Sequence, residues 1–269
     1  MLLQLKDIHT SFTNSRNETF DLLRGVSLDI EEGSITALMG GNGSGKTTLF
    51  NIISGFHKKY SGSVIFDGHN LKRLPPHAIA SLGIGRLFQG GQLIPGLTLL
   101  ENLQLGAPDT NDNRPLSSLL KPRQTREADL QKKNKAIESL IQLFGEGNKY
   151  LDKLYDDGSS FSYGAQRLLS LARLMIGDHK LLLLDEPTSG VNQQFFDTIK
   201  SIITQIASTG KTIFFIEHNT KFIRDITDSC AILSDGVITE HCPTDNMAWN
   251  VAKPLSYNTL IEQSFHEQP

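Results

Sequence analysis

The run Gly40-Gly41-Asn42-Gly43-Ser44-Gly45-Lys46-Thr47 constrains the fold of this chain more than any other segment. It matches G-x-x-x-x-G-K-[ST] at every fixed position, between a continuous apolar run at residues 34–39 and a predicted helix at residues 47–54. Glycines let successive backbone N–H groups turn inward onto phosphate oxygens, and the helix N-terminus adds the positive end of its dipole. The segment therefore predicts a phosphate-binding loop between a buried strand and a helix.

The same loop predicts a nucleoside triphosphate and Mg²⁺ as ligands. We expect Lys46 to reach the β- and γ-phosphates, Thr47 to ligate Mg²⁺, and Thr48 to make a further phosphate contact. The predicted nucleotide-binding positions of the loop are Gly40, Gly41, Asn42, Gly43, Ser44, Gly45, Lys46, Thr47 and Thr48. A glycine-rich turn that contains Lys and Thr by chance is the alternative, which the strand–loop–helix context disfavours.

Two later apolar runs also end in side chains suited to catalysis. Residues 181–184 are all Leu and lead into Asp185-Glu186, where a doubly wound sheet binds its ligands. Asp185 is predicted to hold the Mg²⁺ shell and Glu186 to polarise an attacking water. His218 follows the next apolar run, and we expect it to contact the γ-phosphate and orient that water. The alternatives are an acidic pair that merely ends a strand and a histidine with a structural hydrogen bond.

Strand and helix patterns alternate on both sides of an interrupting segment. Val26, Leu28 and Ile30 have the period of a half-buried strand, and parallel strands with crossover helices follow from the alternation. Between residues 90 and 160 the pattern changes to a polar loop at 109–115 and an amphipathic helix at 123–145. The prediction is an α/β core formed by residues 1–89 and 166–240, an inserted helical lobe at about 90–165, and a C-terminal tail at 247–269.

Composition excludes several classes of protein. Hydrophobic residues make up 38% of the 269 and charged residues 20%, which supports a buried core. The net charge of −3 argues against a nucleic-acid partner. Two cysteines make no disulfide framework and favour a reducing compartment. We find no secretory signal and no apolar run near the ~18 residues of a spanning helix, so membrane contact is expected only through a partner.

The segment Phe161-Ser162-Tyr163-Gly164-Ala165-Gln166-Arg167 resembles the signature of ABC ATPases, usually written Leu-Ser-Gly-Gly-Gln. The other sequence elements of that family occur in the expected order. They are the phosphate loop, Gln89, Asp185-Glu186-Pro187, Ser189-Gly190-Val191-Asn192 and His218. The resemblance covers nearly the whole chain and implies an ABC ATPase domain at residues 1–246. Its implied fold is a P-loop NTPase with a RecA-like parallel sheet, an antiparallel β subdomain and an inserted α-helical subdomain.

The resemblance also implies a composite site between two ATPase subunits packed head to tail. Ser162 and the N–H of Gly164 would meet the γ-phosphate of ATP held by the other subunit. Gln89 would bind the γ-phosphate and Mg²⁺ and link them to the helical lobe, while Phe12 would stack on adenine or else be a core residue. The implied partners are a second ATPase subunit, identical or not, and integral membrane permease subunits. The implied location is peripheral, on the cytoplasmic side of the inner membrane.

Departures from the family pattern narrow the resemblance. The sequence resembles the ATPases of branched-chain amino acid importers at Tyr163, Ala165 and Asn192 and in the runs at residues 83–89 and 216–219. Urea importers and ATPases that extract lipopolysaccharide share much of this pattern. An ABC ATPase acting on nucleic acid or ribosomes is disfavoured because the chain has one cassette and no long coiled coil before Asp185. A scaffold that binds ATP without turnover is disfavoured by the intact Glu186 and His218.

Overall fold

The computed structural model describes residues 1–13, 16–90, 92–107, 122–247 and 249. The chain divides into two compact units, one made of Met1–Pro76 with Ile216–Pro269 and the other of His77–Phe215. The predicted polar loop at 109–115 lies outside the described residues, as does nearly all of the tail after residue 247. The predicted domain limits therefore stay predictions.

The first unit contains an antiparallel sheet whose strands are β1 (Leu3–Thr13), β2 (Thr19–Ile30), β4 (Ser61–Phe66) and β5 (His69–Asn70). Their order across the sheet is β2-β1-β4-β5. Leu3 lies opposite Ile30 on one side and Phe66 on the other, and all three side chains are fully buried. The period-two pattern in β2 therefore marks a strand with one face in the core, and the sheet is the expected antiparallel β subdomain.

The first unit also holds the strand that leads into the phosphate-binding loop. Every residue of β3 (Ile35–Met39) is buried, as the apolar run predicts. Helix α1 (Lys46–Ile53) follows the loop, and β3 pairs in parallel with β9 (Ser229–Ser234). Strand β10 (Val237–Pro243) pairs antiparallel with β9, and the short helix α7 (Thr220–Ile226) precedes β9.

The second unit contains the parallel strands that end at the carboxylates. Strand β6 (Ile84–Leu87) pairs with β7 (Leu181–Asp185), with Leu87 opposite Leu184, and β8 (Thr212–Ile216) lies on the other side of β7. Helix α2 (Pro76–Ser81) precedes β6, and α6 (Phe196–Ser208) precedes β8. Helix α6 buries Ile199, Ile202 and Ile206 on one face, with the spacing of an amphipathic helix.

Three helices of the second unit pack around a separate apolar cluster. They are α3 (Leu99–Gln104), α4 (Pro122–Phe144) and α5 (Tyr163–Ile176). Helix α4 confirms the predicted amphipathic helix within one residue at each end, and its Leu140 packs in this cluster with Leu103 and Leu169. Buried Asn102 bonds to the backbone of Ile94 through both its amide oxygen and its amide nitrogen, which anchors the segment before α3. Among the described residues, no helix is both long enough and apolar enough to cross a bilayer.

Candidate functional site

The phosphate-binding loop wraps around the side chain of Lys46. Lys46 is 6% exposed, and its ammonium donates hydrogen bonds of 2.9 Å to the carbonyl oxygens of both Gly40 and Gly41. Thr47 is exposed and Thr48 half-buried at the start of α1. These carbonyls place a buried cation next to the first N–H groups of a helix, which is the arrangement that binds a phosphate.

Two glycines of the loop are required by its geometry. Gly45 precedes α1 with φ of 103°, and a Cβ added there would lie 2.6 Å from a methyl carbon of Leu23. A Cβ on Gly40 would lie 2.2 Å from the carbonyl oxygen of Leu233. Neither position accepts a side chain without a shift of the loop, because real Cβ contacts essentially never fall below 3.0 Å.

Phe12 lies in an exposed aromatic cluster instead of the core. It is 36% exposed, and its ring stacks on Phe20 at 6.2 Å between centroids and packs on His57 at 5.1 Å. Phe20 lies directly opposite Phe12 in the β1–β2 ladder. His57 forms a 2.8 Å hydrogen bond with Thr10, which holds its ring beside Phe12. The core alternative for Phe12 is therefore wrong, while its contact with adenine stays a prediction.

His218 is exposed at the end of β8 and is presented by a turn built on Glu217. The Glu217 side chain is 4% exposed, and its carboxylate accepts the backbone N–H of His218 at 2.8 Å and that of Asn219 at 3.4 Å. Asn219 in turn caps α7 by accepting the N–H of Phe222. Glu217 thus shapes the turn, a role that nothing in its sequence pattern indicated.

Asp185 lies at the end of β7 in a buried ion pair. Its Oδ2 is 3.2 Å from Nη2 of Arg86 on the neighbouring strand, and the two side chains are 1% and 6% exposed. Burial raises the pKa of Asp185, and the charge of Arg86 acts against that rise. Burial likewise lowers the pKa of Arg86, whose guanidinium also covers the Phe88 ring at 4.4 Å. Nothing in the sequence pattern around Arg86 or Asp185 indicates this pairing.

The second oxygen of Asp185 fits the predicted Mg²⁺ role. Within the described residues, Oδ1 is buried and has no hydrogen-bond partner. A buried carboxylate oxygen without a donor is costly unless a cation or water completes it, and oxygen ligands are those that Mg²⁺ prefers. Across the described chain there is no group of three or more His, Cys, Asp or Glu residues able to hold a metal. The role of Asp185 in holding Mg²⁺ stays a prediction.

Gln89 and Glu186 are in direct contact. The Gln89 amide donates a 2.9 Å hydrogen bond to Oε2 of Glu186. Glu186 has φ of 48°, a conformation that few residues other than Gly adopt and that is often found at functional sites. The structure thus brings Gln89, Asp185 and Glu186 together within the second unit, whereas the phosphate loop, Phe12 and His218 belong to the first.

The signature segment, residues 161–167, begins helix α5. Ser162 is the exposed N-cap, and its Oγ accepts the N–H of Ala165 at 3.4 Å. Helix geometry leaves the N–H groups of Tyr163 and Gly164 without an intrahelical acceptor, so this helix end can bind an anion. Tyr163 donates from its hydroxyl to the carbonyl oxygen of Ser189 at 3.3 Å, and its ring occupies the space beside Gly190. Tyr163 stands where the family signature has Gly, and its ring has room because residue 190, in the loop after Glu186, is a glycine.

Comparison with known proteins identifies the same family. Residues 23–189 match the family model described as ABC transporter. The chain is 33% identical over 230 residues to the probable branched-chain amino acid transport ATP-binding protein LivG of Archaeoglobus fulgidus, covering 84% of this chain and 86% of that protein. It is 32% identical to the high-affinity branched-chain amino acid transport ATP-binding protein BraF of Pseudomonas aeruginosa, over 80% and 82% of the two chains.

A solved structure has the same fold over nearly its whole length. The ADP conformation of MJ1267, an ATP-binding cassette of an ABC transporter, matches with a TM-score of 0.74 and 26% identity, covering 99% of each chain. This likeness confirms the predicted P-loop NTPase class with its antiparallel and helical additions.

Proposed function

This chain belongs to the ABC transporter family and is one of its ATP-hydrolysing cassettes, and we propose that it is the ATPase subunit of an importer of branched-chain amino acids. The substrate class rests on the relatives, which carry that transport role in their names at 32–33% identity over most of their length. The observation that carries the catalytic part is the contact of Glu186 with Gln89 beside the buried carboxylate of Asp185.

ATP binding begins with an exchange of partners at Lys46. In the structure its ammonium donates hydrogen bonds to the uncharged carbonyl oxygens of Gly40 and Gly41. The β- and γ-phosphates carry full negative charge and form stronger, charge-assisted bonds to the same ammonium, supported by the backbone N–H groups before α1. Asp185 and Thr47 would hold Mg²⁺, which neutralises charge on the phosphate oxygens.

Hydrolysis needs a base that is aimed at water. Glu186 is held by the amide of Gln89, and its carboxylate would accept a proton from water as the water attacks the γ-phosphate. His218 would contact the same phosphate and help to orient that water. Through this hydrogen bond, the position of Glu186 depends on the segment that leads from Gln89 into the helical lobe.

A second copy or a related subunit would complete the site. Ser162 and the N–H of Gly164 form an exposed helix end that can bind the γ-phosphate of ATP held by the partner. Turnover would then require closure of the pair, and permease subunits that dock on the ATPase would sense closure and opening. Contact with the inner membrane from its cytoplasmic side would go through those permease subunits.

The catalytic part is tested with Glu186→Gln, which keeps the side chain volume but removes the base. Turnover should fall about 10²–10⁴-fold, the usual contribution of a general base, while ATP binding persists. The variant should also form an ATP-dependent dimer, measured by light scattering. Glu127→Gln, on the exposed face of α4, is the control and should behave as wild type. Wild-type turnover by Glu186→Gln would show that Glu186 is not the base.

The substrate is tested by uptake in the organism that carries this chain. Deletion of the chain should abolish high-affinity uptake of labelled leucine, isoleucine and valine, and uptake should return with the wild-type chain or with Lys58→Ala, an exposed control. It should not return with Lys46→Ala, because the loop then lacks its cation. Normal uptake of all three amino acids in the deletion strain, with loss of urea uptake instead, would transfer the assignment to a urea importer.

A further inference from the structure

Arg167 is a buried cation that contacts four backbone carbonyl groups. It is 1% exposed on α5, in the signature segment. Its Nε donates to the Pro187 oxygen at 3.1 Å, and its Nη1 donates to the Phe88 oxygen at 3.1 Å. Its Nη2 donates to the oxygens of Asp185 and Glu186 at 2.9 and 2.6 Å. A single guanidinium therefore joins three segments of the second unit.

The four carbonyls flank the candidate catalytic groups. Phe88 immediately precedes Gln89, and the other three carbonyls run from Asp185 to Pro187. Glu186 has the strained φ of 48°, and the shortest of the four bonds goes to its own carbonyl oxygen. Strained backbone persists where its surroundings over-determine it. The Arg167 bonds hold this peptide together with the Ser189 N–H, which donates to the same Glu186 carbonyl oxygen at 3.1 Å, and they constrain where the Glu186 carboxylate points.

Helix α5 connects Arg167 to the exposed helix end that begins at Ser162. Arg167 is five positions after Ser162, which is less than two turns, or about 7.5 Å along the helix. Over that length a helix is stiff. At the helix N-terminus, the Tyr163 hydroxyl makes a second connection by donating a hydrogen bond to the carbonyl oxygen of Ser189. The ring of Phe195 fills the space beside Gly164. A shift of the helix end is thus transmitted to the backbone around Glu186.

We propose that Arg167 is a positioning residue for ATP hydrolysis. It couples the helix end at Ser162, which would meet the partner's nucleotide, to the Glu186 carboxylate, which would activate water, so that the two move together. This inference rests on the proposed function. In the proposed pair, closure over the partner's ATP would bring the chain's own Glu186 and Gln89 into their working geometry. The planar fork of Arg suits several carbonyls at once, whereas the ammonium of Lys is a point charge on a flexible stem.

The test compares Arg167→Met and Arg167→Lys with the wild-type chain. Displacement of a catalytic group by about 1 Å costs on the order of 10²-fold in rate, so kcat of Arg167→Met should fall about 10–100-fold. Arg167→Lys, which can reach fewer of the carbonyls, should fall less. Affinity for a fluorescent ATP analogue should stay within about twofold, because the phosphate loop is untouched. If Arg167→Met does not fold, the same kcat and affinity measurements on Arg167→Lys decide.

A matched control separates positioning from loss of stability. Leu174→Ala removes a buried side chain from the same helix, two turns further on, and should cost about 2–5 kcal/mol of stability. Measured well below its unfolding temperature, this variant should keep kcat within about threefold of wild type. If Leu174→Ala lost as much kcat as Arg167→Met, the loss would follow from destabilisation and the inference would be wrong.

The decisive readout is a double-mutant cycle with Glu186→Gln. If Arg167 acts through Glu186, Arg167→Met should lower residual turnover less than threefold in the Glu186→Gln background. A full 10–100-fold loss in that background, or wild-type kcat in both Arg167 variants, overturns the inference. Failure of Glu186→Gln alone to slow turnover would instead sink the proposed function. The two failures are therefore distinguishable.

Discussion

Replacement of Arg86 by Met tests whether the buried ion pair with Asp185 holds the end of β7. The pair is 3.2 Å apart, and both side chains are almost completely excluded from water. Met keeps most of the apolar stem of Arg, while the charged guanidinium and its contact with the Phe88 ring are lost. Asp185 is then left as a buried carboxylate that has lost its cation.

The expected loss follows from the burial of the pair. Removal of one partner of a buried ion pair costs about 3–5 kcal/mol of unfolding free energy, because the other charge stays desolvated. For a domain of this size, 1 kcal/mol corresponds to about 2–4 °C, so the unfolding temperature should fall on the order of 10 °C. Asp185 can relieve its cost by taking up a proton, but Arg86 cannot lose one in the same way. Asp185→Asn should therefore destabilise at least as much as Arg86→Met.

The pH dependence has a definite sign. Burial raises the pKa of Asp185 in the folded state, and loss of Arg86 removes the main influence that lowers it. A carboxyl whose folded pKa is raised stabilises the fold below its unfolded pKa, and that contribution is lost as pH rises through the folded pKa. The deficit of Arg86→Met relative to wild type should therefore shrink toward pH 4 and grow toward pH 8.

Urea or thermal unfolding of the nucleotide-free protein measures these effects. Wild type, Arg86→Met, Asp185→Asn and the double variant form a cycle, in which the double variant should lose clearly less than the sum of the single variants. Losses that simply add, or an Arg86→Met deficit independent of pH, would refute the reasoning from a buried, desolvated pair.

Three further predictions concern the rest of the candidate site. Gly45→Ala should raise the dissociation constant for ATP at least tenfold in a fluorescence titration, because it combines a φ of 103° with a 2.6 Å approach to Leu23; unchanged affinity would contradict the geometry of the loop. Phe12→Ala should weaken ATP binding about 3–10-fold, the value of an aromatic stack of about 0.5–1.5 kcal/mol, while binding of inorganic triphosphate stays unchanged. Ser162→Arg should leave ATP affinity intact and abolish the ATP-dependent dimer in the Glu186→Gln background, seen by light scattering; a dimer that persists would argue against contact of α5 with the partner's nucleotide.

Local patterns were sufficient for the elements that carry the phosphate loop. The apolar run before Gly40 is a fully buried strand, and the helix predicted at residues 47–54 is α1, since both depend only on neighbours in the chain. The loop itself was predictable because its glycines and Lys46 act within eight consecutive residues. Asp185 and Glu186 were also predictable, because they end a strand of four leucines.

Contacts between distant segments were decided by the tertiary structure alone. Arg86 meets Asp185 only because β6 and β7 pair in one particular parallel register, and nothing near Arg86 in the chain indicates its partner. Arg167 could be read as part of a motif, but its burial among the carbonyls of Phe88 and Glu186 requires α5 to lie across the ends of two strands. The sequence by itself thus determined which chemical groups this protein has, because motifs and periodicity are local. Packing determined which of those groups hold one another in place, because hydrogen bonds and burial join residues that are far apart in the chain.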